Sequence, residues 1–384
     1  LIPNDPEFEN MWHLHNTGQN GGLVDADIDA PEAWNINTGG TTVLGQSIVV
    51  AIIDGGFQWN HQDLVENSWV NENEIPDNGI DDDGNGYIDD IHGWDAFDNN
   101  GVLPIASHGT KVAGMIGAKG NNNIDVVGVN WNVDLMFIAG SSSITSTVIA
   151  AYGYALDNKL LWQDTDGVLG ANVVATNSSF GINYADCNSG SYPVWNDMYN
   201  SLGEAGILSI AATMNINANV DEEGDVPTGC NSDYLIAVTN TTKDDIKYSS
   251  AAYGLESIDL GAPGTSVCST RPTDLISCTL TGTSYSSPIV AGAVALVHAA
   301  GSNILHQEYF LYPSEIALFI KNILLNTVDH LSDLEGNTVS GGRLNLFNAV
   351  NVANQFDGIC SIIGDINGDL DINVVDVVSM VSCI

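Results

Sequence analysis

Short apolar runs alternate with helical apolar patterns along most of the chain. Residues 47–54 form one such run, which ends in an aspartate followed by two glycines. A continuous run of this length is typical of a strand that is buried on both faces. Further runs predict strands at 135–138, 172–181, 207–212 and 235–239, and helical patterns occupy 107–117, 147–161, 196–205 and 314–326. This alternation predicts an α/β fold in which a mostly parallel central sheet has helices on both faces.

The most apolar helical segment follows a glycine-rich turn. Residues 289–297 are all apolar or small, and Ser284 lies shortly before them, after Gly282. Pro288 is acceptable in the first helical turn because its missing N–H has no intrahelical partner there. A hydroxyl at this position can cap the helix, or it can act as a reacting oxygen in the positive field of the helix N-terminus. Taken alone, the motif favours the cap.

Two other residues stand at the ends of predicted elements. Asp54 ends the first strand, where open α/β sheets place their active sites, although Asp-Gly is also a common turn. His108 begins a glycine-rich helix, and a lone histidine has many structural roles. Together with Ser284 they provide a carboxylate, a base and a hydroxyl, the three groups that nucleophilic serine catalysis requires.

The charge balance is extremely acidic and limits the partners of the protein. The 384 residues include 8 Lys and Arg against 48 Asp and Glu, which gives a formal net charge of −40. Nucleic acid is disfavoured as a partner because phosphate binding needs clustered basic residues. So large a surplus repels itself unless cations or salt screen it, which predicts bound calcium, a saline medium or both. No apolar run reaches the ~18 residues of a membrane helix, so we expect no membrane span.

An acidic segment at 77–90 has the spacing of a calcium loop. Side-chain oxygens at alternate positions from 81 to 85, then a glycine and a backbone carbonyl, follow the opening of an EF-hand loop. Position twelve is His92 rather than Glu, so the motif is not a complete EF-hand, and a plain acidic surface loop is the alternative. The predicted calcium ligands are Asp77, Asp81, Asp83, Asn85, Tyr87 and Asp90.

A second acidic spacing lies near the C-terminus, where the character of the chain changes. From position 365, side-chain oxygens occupy loop positions 1, 3, 5 and 12 and lead into an apolar helical pattern, with Leu370 at the usual glycine position. We therefore predict a large unit at 1–355 and a short calcium-binding segment at 356–384. The predicted ligands in this segment are Asp365, Asn367, Asp369, Asp371 and Asp376.

Six cysteines lie in three local neighbourhoods. Local pairing into three disulfides fits an exported protein, but six cysteines allow 15 connectivities and the sequence does not choose among them. The chain begins without a methionine or a signal segment, which we interpret as a mature chain whose export and zymogen segments have been removed. The neighbourhoods are Cys187 with Cys230, Cys268 with Cys278, and Cys360 with Cys383.

Three motifs together resemble those of the subtilisin-like serine proteases, the subtilases. They are Ala51-Ile-Ile-Asp54-Gly-Gly, His108-Gly-Thr-Lys-Val-Ala-Gly114 and Gly282-Thr-Ser284-Tyr-Ser-Ser-Pro288, in the family's order of Asp, His and Ser. The resemblance covers roughly residues 1–355. It implies a three-layer subtilisin-like fold and a secreted, calcium-stabilised serine endopeptidase. In that family Asp54 would orient His108, His108 would be the general base, and Ser284 would be the nucleophile.

The same resemblance implies the remaining site residues. Asn215 matches the family's oxyanion-hole asparagine, with Met214 where the family has Gly. A substrate peptide would pair with residues 179–181 as an added strand. The side-chain pocket would have mostly small and uncharged walls, which predicts no demand for Lys or Arg. The implied substrate-binding residues are Ser179, Phe180, Gly181, Ala211, Ala212 and Thr213, with the region of Pro227, and a further calcium site would use Asp5, Asp63 and Asn122.

The tail resembles half of a dockerin-type calcium module, so attachment to a cell surface or scaffold and a stabilising cap are both open interpretations. The leading hypothesis is a monomeric, extracellular endopeptidase that acts on proteins and peptides. One alternative is a calcium-dependent binding protein that no longer cleaves, against which the three intact motifs argue. Another is a processing enzyme of narrow specificity, which an acidic rim of the cleft and a preference for basic peptides would indicate.

Overall fold

The computed structural model describes residues 1–187 and 192–358. The calcium ligands predicted in the 356–384 segment therefore lie outside the described residues. Within the described part, the α-helices are α1 (Ala30–Trp34), α2 (Ser107–Gly117), α3 (Thr145–Asp164), α4 (Pro193–Glu204), α5 (Val220–Glu223), α6 (Thr283–Ala300), α7 (Asn303–Leu311), α8 (Pro313–Asn326) and α9 (Leu346–Asn354). The strands are β1 (Val49–Asp54), β2 (Gly93–Asp95), β3 (Asp134–Ala139), β4 (Val173–Ser178), β5 (Ile182–Asn183), β6 (Leu208–Ala212), β7 (Asp225–Val226), β8 (Leu235–Thr241), β9 (Leu260–Pro263), β10 (Thr265–Arg271), β11 (Leu275–Thr281), β12 (Asp329–His330) and β13 (Gly342–Arg343).

A nine-stranded sheet forms the centre of the fold. Its strand order is β12-β13-β9-β8-β6-β4-β1-β3-β2, and every pairing except β12 with β13 is parallel. The strands β1, β4, β6 and β8 are buried along their whole length. Strands of this kind need cover on both faces, which the helices provide. The predicted α/β fold with a mostly parallel sheet and flanking helices is confirmed.

The sheet reverses its strand order at β1. From this strand the chain builds outward through β3 on one side and through β4 and β6 on the other. The loops that leave the two sides diverge at the carboxyl end of β1, so a crevice opens there, and open α/β sheets bind their ligands at such a point. Asp54 is the last residue of β1 and therefore lies at this crevice.

Helix α6 is the buried core helix of the molecule. Every residue of α6 except Ser284 is buried, and the helix packs among β4, β6, β8, α2 and α9. A Cβ at Gly292 would lie only 2.8 Å from Cβ of Val129, so glycine is required for this close approach. Each buried aliphatic side chain contributes roughly 1.5–3 kcal/mol. The helix that presents Ser284 is consequently held firmly by its own packing.

Two small antiparallel pairs lie beside the main sheet. β10 and β11 form a hairpin that packs against α2, and β5 pairs with β7. The sequence patterns did not predict this hairpin, because its strands are rich in Ser and Thr and only partly buried. Two of the three predicted local disulfides are confirmed, and the residues of the third lie outside the described part of the chain. The disulfides are Cys187–Cys230 and Cys268–Cys278.

A helix that spans a membrane must be both long and apolar. Within residues 1–187 and 192–358, no single helix meets both requirements. Helices α6 and α7 meet them only when taken together, across a bend of 108°.

Candidate active site

Asp54 and His108 form one half of the candidate site. His108 lies in the first turn of α2, and its Nδ1 is 2.7 Å from Oδ2 of Asp54. The other carboxylate oxygen of Asp54 accepts a hydrogen bond from the Gly55 N–H at 2.7 Å. The Asp54 side chain is 6% exposed and that of His108 is 42% exposed. A fixed, buried carboxylate therefore holds Nδ1 and leaves Nε2 of an accessible imidazole to exchange a proton.

Glycine at position 109 allows α2 to approach β1 this closely. A Cβ on Gly109 would lie 2.9 Å from Cβ of Asp54 and 2.7 Å from the Phe57 ring. Both are closer than real Cβ contacts, and Phe57 is itself fully buried. Any larger residue here would push α2, and His108 with it, away from Asp54.

Ser284 forms the other half of the site, in the first turn of α6. It follows Gly282, whose φ of 149° lies in the region that favours glycine. Ser284 Oγ donates to the Ser179 carbonyl at 3.3 Å, and Ser179 Oγ donates to the Ser284 carbonyl at 2.9 Å. The ring of Tyr285, the next residue, lies 6.1 Å from the His108 ring, so the N-terminus of α6 stands beside the imidazole.

Asn215 faces the same turn from the loop that follows β6. Its Oδ1 accepts a hydrogen bond from the Thr283 N–H at 2.9 Å. With the oxygen engaged in this way, Nδ2 is the donor that remains. Asn215 is exposed and, like Ser284, lines a cavity of about 190 Å³. The two residues implied for the nucleophile and the oxyanion hole thus share one cavity.

The cavity brings together most of the predicted substrate-binding residues. Ala211 is an exception: side chains alternate across a strand, so Ala211 packs in the core on the opposite side of β6 from Ala212, and the structure does not bring it to the cavity. Sequence analysis had not identified the contributions of Asn183, Met214, Ile216 and Thr283. The predicted residues that do line the cavity are Ser179, Phe180, Gly181, Ala212 and Thr213.

A charged residue, Asp225, is also part of the cavity lining, and the sequence did not predict it. This residue is 1% exposed, and burial raises its pKa to about 6. Sequence analysis placed the pocket wall near Pro227 but did not include the aspartate two positions earlier. Asp225 belongs to β7, a strand of two residues whose pairing with β5 has no sequence signature.

Three carboxylates lie close together at the acidic loop, two from the loop and one from the residues just before it. Ligand oxygens of Glu74, Asp81 and Asp83 all lie within 4.8 Å of one another. Glu74 was missed because it precedes the recognisable loop spacing, yet it is only 5% exposed. Asp77 is exposed and is not part of this group. The group has the hard oxygen ligands that calcium prefers.

The other predicted ligands of this loop form hydrogen bonds with neighbouring side chains. Asn85 Nδ2 donates to Asp83 at 3.2 Å and to Asp90 at 3.1 Å. Asp90 is fully buried, accepts a hydrogen bond from the Tyr154 hydroxyl at 2.7 Å, and has its pKa raised to about 7 by burial. The hydroxyl of Tyr87 donates to Asp157, so the predicted contribution of Tyr87 is limited to its backbone carbonyl.

A second acidic site joins the N-terminal segment to the loop after α2. Asp63 accepts hydrogen bonds from Asn122 Nδ2 at 2.8 Å and from the Val126 N–H at 3.0 Å. Asp5 accepts from the Asn121 N–H at 2.7 Å, and its Oδ1 is buried without a hydrogen-bond partner among the described residues. Burial, together with the negative charges of Asp125 and Asp5, raises the pKa of Asp63 to about 7, although its hydrogen bonds oppose the shift. Asp5, Asp63 and Asn122 are thus brought together, and the unpaired oxygen fits a bound cation.

The fold and the site together define a candidate for serine-nucleophile chemistry at the carboxyl edge of a parallel sheet. The family model described as "Subtilase family" matches residues 45–347, and the chain belongs to this family of subtilisin-like serine proteases.

Individual relatives agree with the family match. The chain is 29% identical over 341 residues to "Subtilisin-like protease 1" of Plasmodium berghei, with 81% of this chain and 50% of that protein covered. It is 30% identical over 341 residues to "Extracellular protease" of Xanthomonas campestris pv. campestris, with 84% and 53% covered. It is 28% identical over 353 residues to "Thermitase" of Thermoactinomyces vulgaris, with 91% and 99% covered. The chain thus spans about half the length of the first two relatives and nearly all of the third.

A solved structure is also similar. A protease from Pseudoalteromonas arctica superposes with a TM-score of 0.63 at 22% identity, over 92% of this chain and 100% of that chain. At this identity the similarity shows the fold.

Proposed function

We propose that this chain is a secreted, calcium-stabilised serine endopeptidase that cleaves proteins through an acyl-enzyme on Ser284. The observation that carries the proposal is the contact of 2.7 Å between His108 Nδ1 and Asp54 Oδ2, at the sheet edge where α6 presents Ser284. The three side chains come from β1, α2 and α6, which are distant in sequence and joined by core packing. A base whose second nitrogen is held by a carboxylate is the arrangement that activates a serine hydroxyl.

In the proposed reaction, Ser284 Oγ attacks the peptide carbonyl carbon while His108 Nε2 takes the hydroxyl proton. Asp54 keeps Nδ1 protonated and stabilises the imidazolium that forms. Collapse of the tetrahedral intermediate breaks the C–N bond, and the imidazolium proton passes to the leaving amine. Water then attacks the acyl-enzyme with His108 again as the base, which releases the acid and restores Ser284.

The oxyanion of the intermediate would be bound by Asn215 Nδ2 and the Ser284 N–H. Asn215 Oδ1 is held by the Thr283 N–H, which fixes the amide group before substrate arrives. Preorganised donors of this kind stabilise the charge that develops in the transition state. Loss of the corresponding asparagine in subtilisin lowers kcat by about 10²–10³, and we expect a similar loss for Asn215→Ala.

Calcium would act on stability rather than on the chemistry. The group of Glu74, Asp81 and Asp83 and the pair of Asp5 and Asp63 place carboxylates close together, and the described ion pairs give none of these five a cationic partner. Calcium bound by hard oxygen ligands supplies the missing positive charge. Because the ion binds the folded protein, it raises the free energy of unfolding.

Secretion is supported by two features. The described part of the chain contains two disulfides, which persist in oxidising compartments. The Xanthomonas relative is named an extracellular protease. The monomeric state, the zymogen origin and the attachment role of the 356–384 segment remain predictions.

The test is hydrolysis of an unfolded protein substrate, with calcium present, by the wild type, Ser284→Ala and Ser286→Ala. Ser286 is a matched control because its hydroxyl is buried two positions away and has no hydrogen-bond partner among the described residues. We expect the first variant to lose nearly all activity and the second to keep it, with both folded by circular dichroism. Equal activity of wild type and Ser284→Ala would contradict the proposal.

A further inference from the structure

Asp225 has one carboxylate oxygen that is fully engaged and one that has no partner. Oδ2 accepts hydrogen bonds from Thr228 Oγ1 at 2.6 Å, the Met214 N–H at 3.0 Å and Thr213 Oγ1 at 3.3 Å. Oδ1 is buried and has no hydrogen-bond partner among the described residues. These donors fix the side chain in the wall of the cavity. A buried acceptor without a partner is costly, and a ligand that supplies a donor there removes the cost.

The described residues offer no cation to this carboxylate. The ion pairs in residues 1–187 and 192–358 involve other acids, namely Asp54, Glu66, Asp245, Asp259 and Asp329. Burial is the main cause of the raised pKa of Asp225, the hydrogen bonds oppose it, and no charged side chain is among its causes. With a pKa of about 6, the carboxyl group is mainly ionised at pH 7 and above. The cavity wall therefore has a fixed negative charge.

We propose that Asp225 makes the cavity selective for a Lys or Arg side chain on the residue whose carbonyl Ser284 attacks. The inference rests on the proposed peptidase function, because Ser284 and Asp225 line the same cavity of about 190 Å³. The side chain next to the attacked carbonyl occupies this cavity, and its cationic head group pairs with Asp225 Oδ1. A carboxylate in the corresponding pocket of trypsin selects basic residues by the same principle.

The rest of the cavity suits a long side chain with a charged end. Gly181, Ala212 and Thr213 are small, and Phe180 and Met214 provide apolar surface for an aliphatic stem. The net charge of −40 also attracts cationic peptides over long distances. That attraction weakens in salt, whereas a direct pair in a buried pocket is screened much less. Selectivity due to Asp225 therefore persists at high ionic strength.

The test uses four fluorogenic peptides that are identical except at the residue before the cleaved bond, which is Arg, Lys, citrulline or Leu. Citrulline has nearly the shape of Arg without its charge. We expect the wild type in about 0.5 M salt to cleave the Arg or Lys peptide with a kcat/KM about 100-fold above the citrulline peptide, because truncating one partner of a buried charge pair is costly. Asp225→Asn should bring this ratio near one, because the amide has no charge to pair with the basic head group.

Asp221→Asn is the matched control. Asp221 lies in α5, is exposed, and its loss removes the same charge from the protein. This variant should keep the wild-type ratio. A wild type that cleaves the Leu or citrulline peptide as well as the Arg and Lys peptides, in a Ser284-dependent manner, would overturn the specificity proposal and leave the peptidase function intact. Failure to cleave any of the four would instead count against the proposed function and the inference built on it. The wild-type ratio needs no variant, so the test holds even where Asp225→Asn does not fold.

Discussion

Asp54 and Asp63 are both buried carboxylates near a loop that follows the first strand, but they belong to different kinds of site. Asp54 is completed by the chain itself, through His108 Nδ1 and the Gly55 N–H. Asp63 has two hydrogen-bond donors but faces the carboxylate of Asp5, whose Oδ1 has no partner among the described residues. The candidate catalytic edge is therefore preformed by residues of the protein, whereas the proposed calcium ions would balance the charge of the acidic sites.

Arg343 gives an intermediate case, in which the chain supplies its own cation to an acidic cluster. This arginine is 2% exposed and forms ion pairs with Asp245 and with Asp329, the latter at 2.6 Å. Asn345 adds a hydrogen bond of 2.7 Å to Asp29 in the same cluster. Three acidic regions of one protein are thus balanced in two ways, by a buried guanidinium or by a proposed calcium ion.

The largest expected effect tests the catalytic side of this comparison. Asp54→Asn should lower kcat by about 10⁴, the loss measured for the same change in trypsin, because the amide favours the wrong imidazole tautomer. Asp95→Asn is the matched control, since Asp95 ends β2 on the same sheet edge and accepts a hydrogen bond from the Phe97 N–H. Steady-state kinetics and thermal melts of both variants provide the measurement. Similar losses of kcat in the two would contradict a special role for Asp54.

Arg343→Met should give the largest loss of stability. Removing the buried guanidinium leaves the partly exposed carboxylates of Asp245 and Asp329 without a counter-charge, which costs about 3 kcal/mol in free energy of unfolding, the lower end of the range for a fully buried pair. Arg271→Met, at the exposed end of β10, should change the stability by less than about 0.5 kcal/mol. Denaturant unfolding with calcium present measures both. If added calcium restored the stability of the Arg343 variant, the distinction between the two kinds of acidic site would fail.

Removal of calcium should have the next largest effect. With free calcium at about 100 times its Kd, one site contributes about 2.7 kcal/mol, which a chelator abolishes. Asp63→Asn should reduce the calcium-dependent part of the stability, and Asp98→Asn, an exposed change of equal charge, should not. At a temperature where the protein stays folded, kcat should be the same with and without chelator. A melting temperature that does not respond to chelator would show that these carboxylates bind no stabilising ion.

Loss of stability in acid should come partly from a buried histidine. His13 is 1% exposed, and burial lowers its pKa to about 3. Its neutral form in the folded state contributes stability above the unfolded pKa of 6.5, and this contribution is lost as the pH falls. At pH 5 the loss is about 2 kcal/mol, from the difference of about 1.5 between that pKa and the pH. His13→Gln should reduce the change in stability between pH 7 and pH 5, whereas His330→Gln, at an exposed histidine, should leave it unaltered.

The main sheet and α6 could be predicted from sequence because their signals are strong and local. Residues 47–54 and 289–297 are apolar runs that admit few alternatives. The β10–β11 hairpin could not be predicted, since its Ser- and Thr-rich strands have a weak apolar pattern and are held by packing on α2 and by the Cys268–Cys278 disulfide.

The candidate site likewise contains residues that could be predicted from the sequence and residues that could not. Asp54, His108 and Ser284 stand in local motifs, so the sequence alone identifies them as candidates. Glu74 and Asp225 could not be named, because their places depend on contacts between segments. Glu74 accepts a hydrogen bond from the Asp82 N–H at 2.7 Å across a loop, and Asp225 is placed by the pairing of β7 with β5. Ala211 was predicted together with Ala212, but neighbours in a strand face opposite sides, and only Ala212 lines the cavity.

Covalent labelling by a peptidyl phosphonate tests most directly whether Asp54, His108 and Ser284 act as one unit. Mass spectrometry after digestion then locates the residue that is modified. We expect a single adduct on Ser284 in the wild type, formed at a rate that falls by orders of magnitude in His108→Ala. An adduct on another residue, or a labelling rate that His108→Ala leaves unchanged, would contradict it.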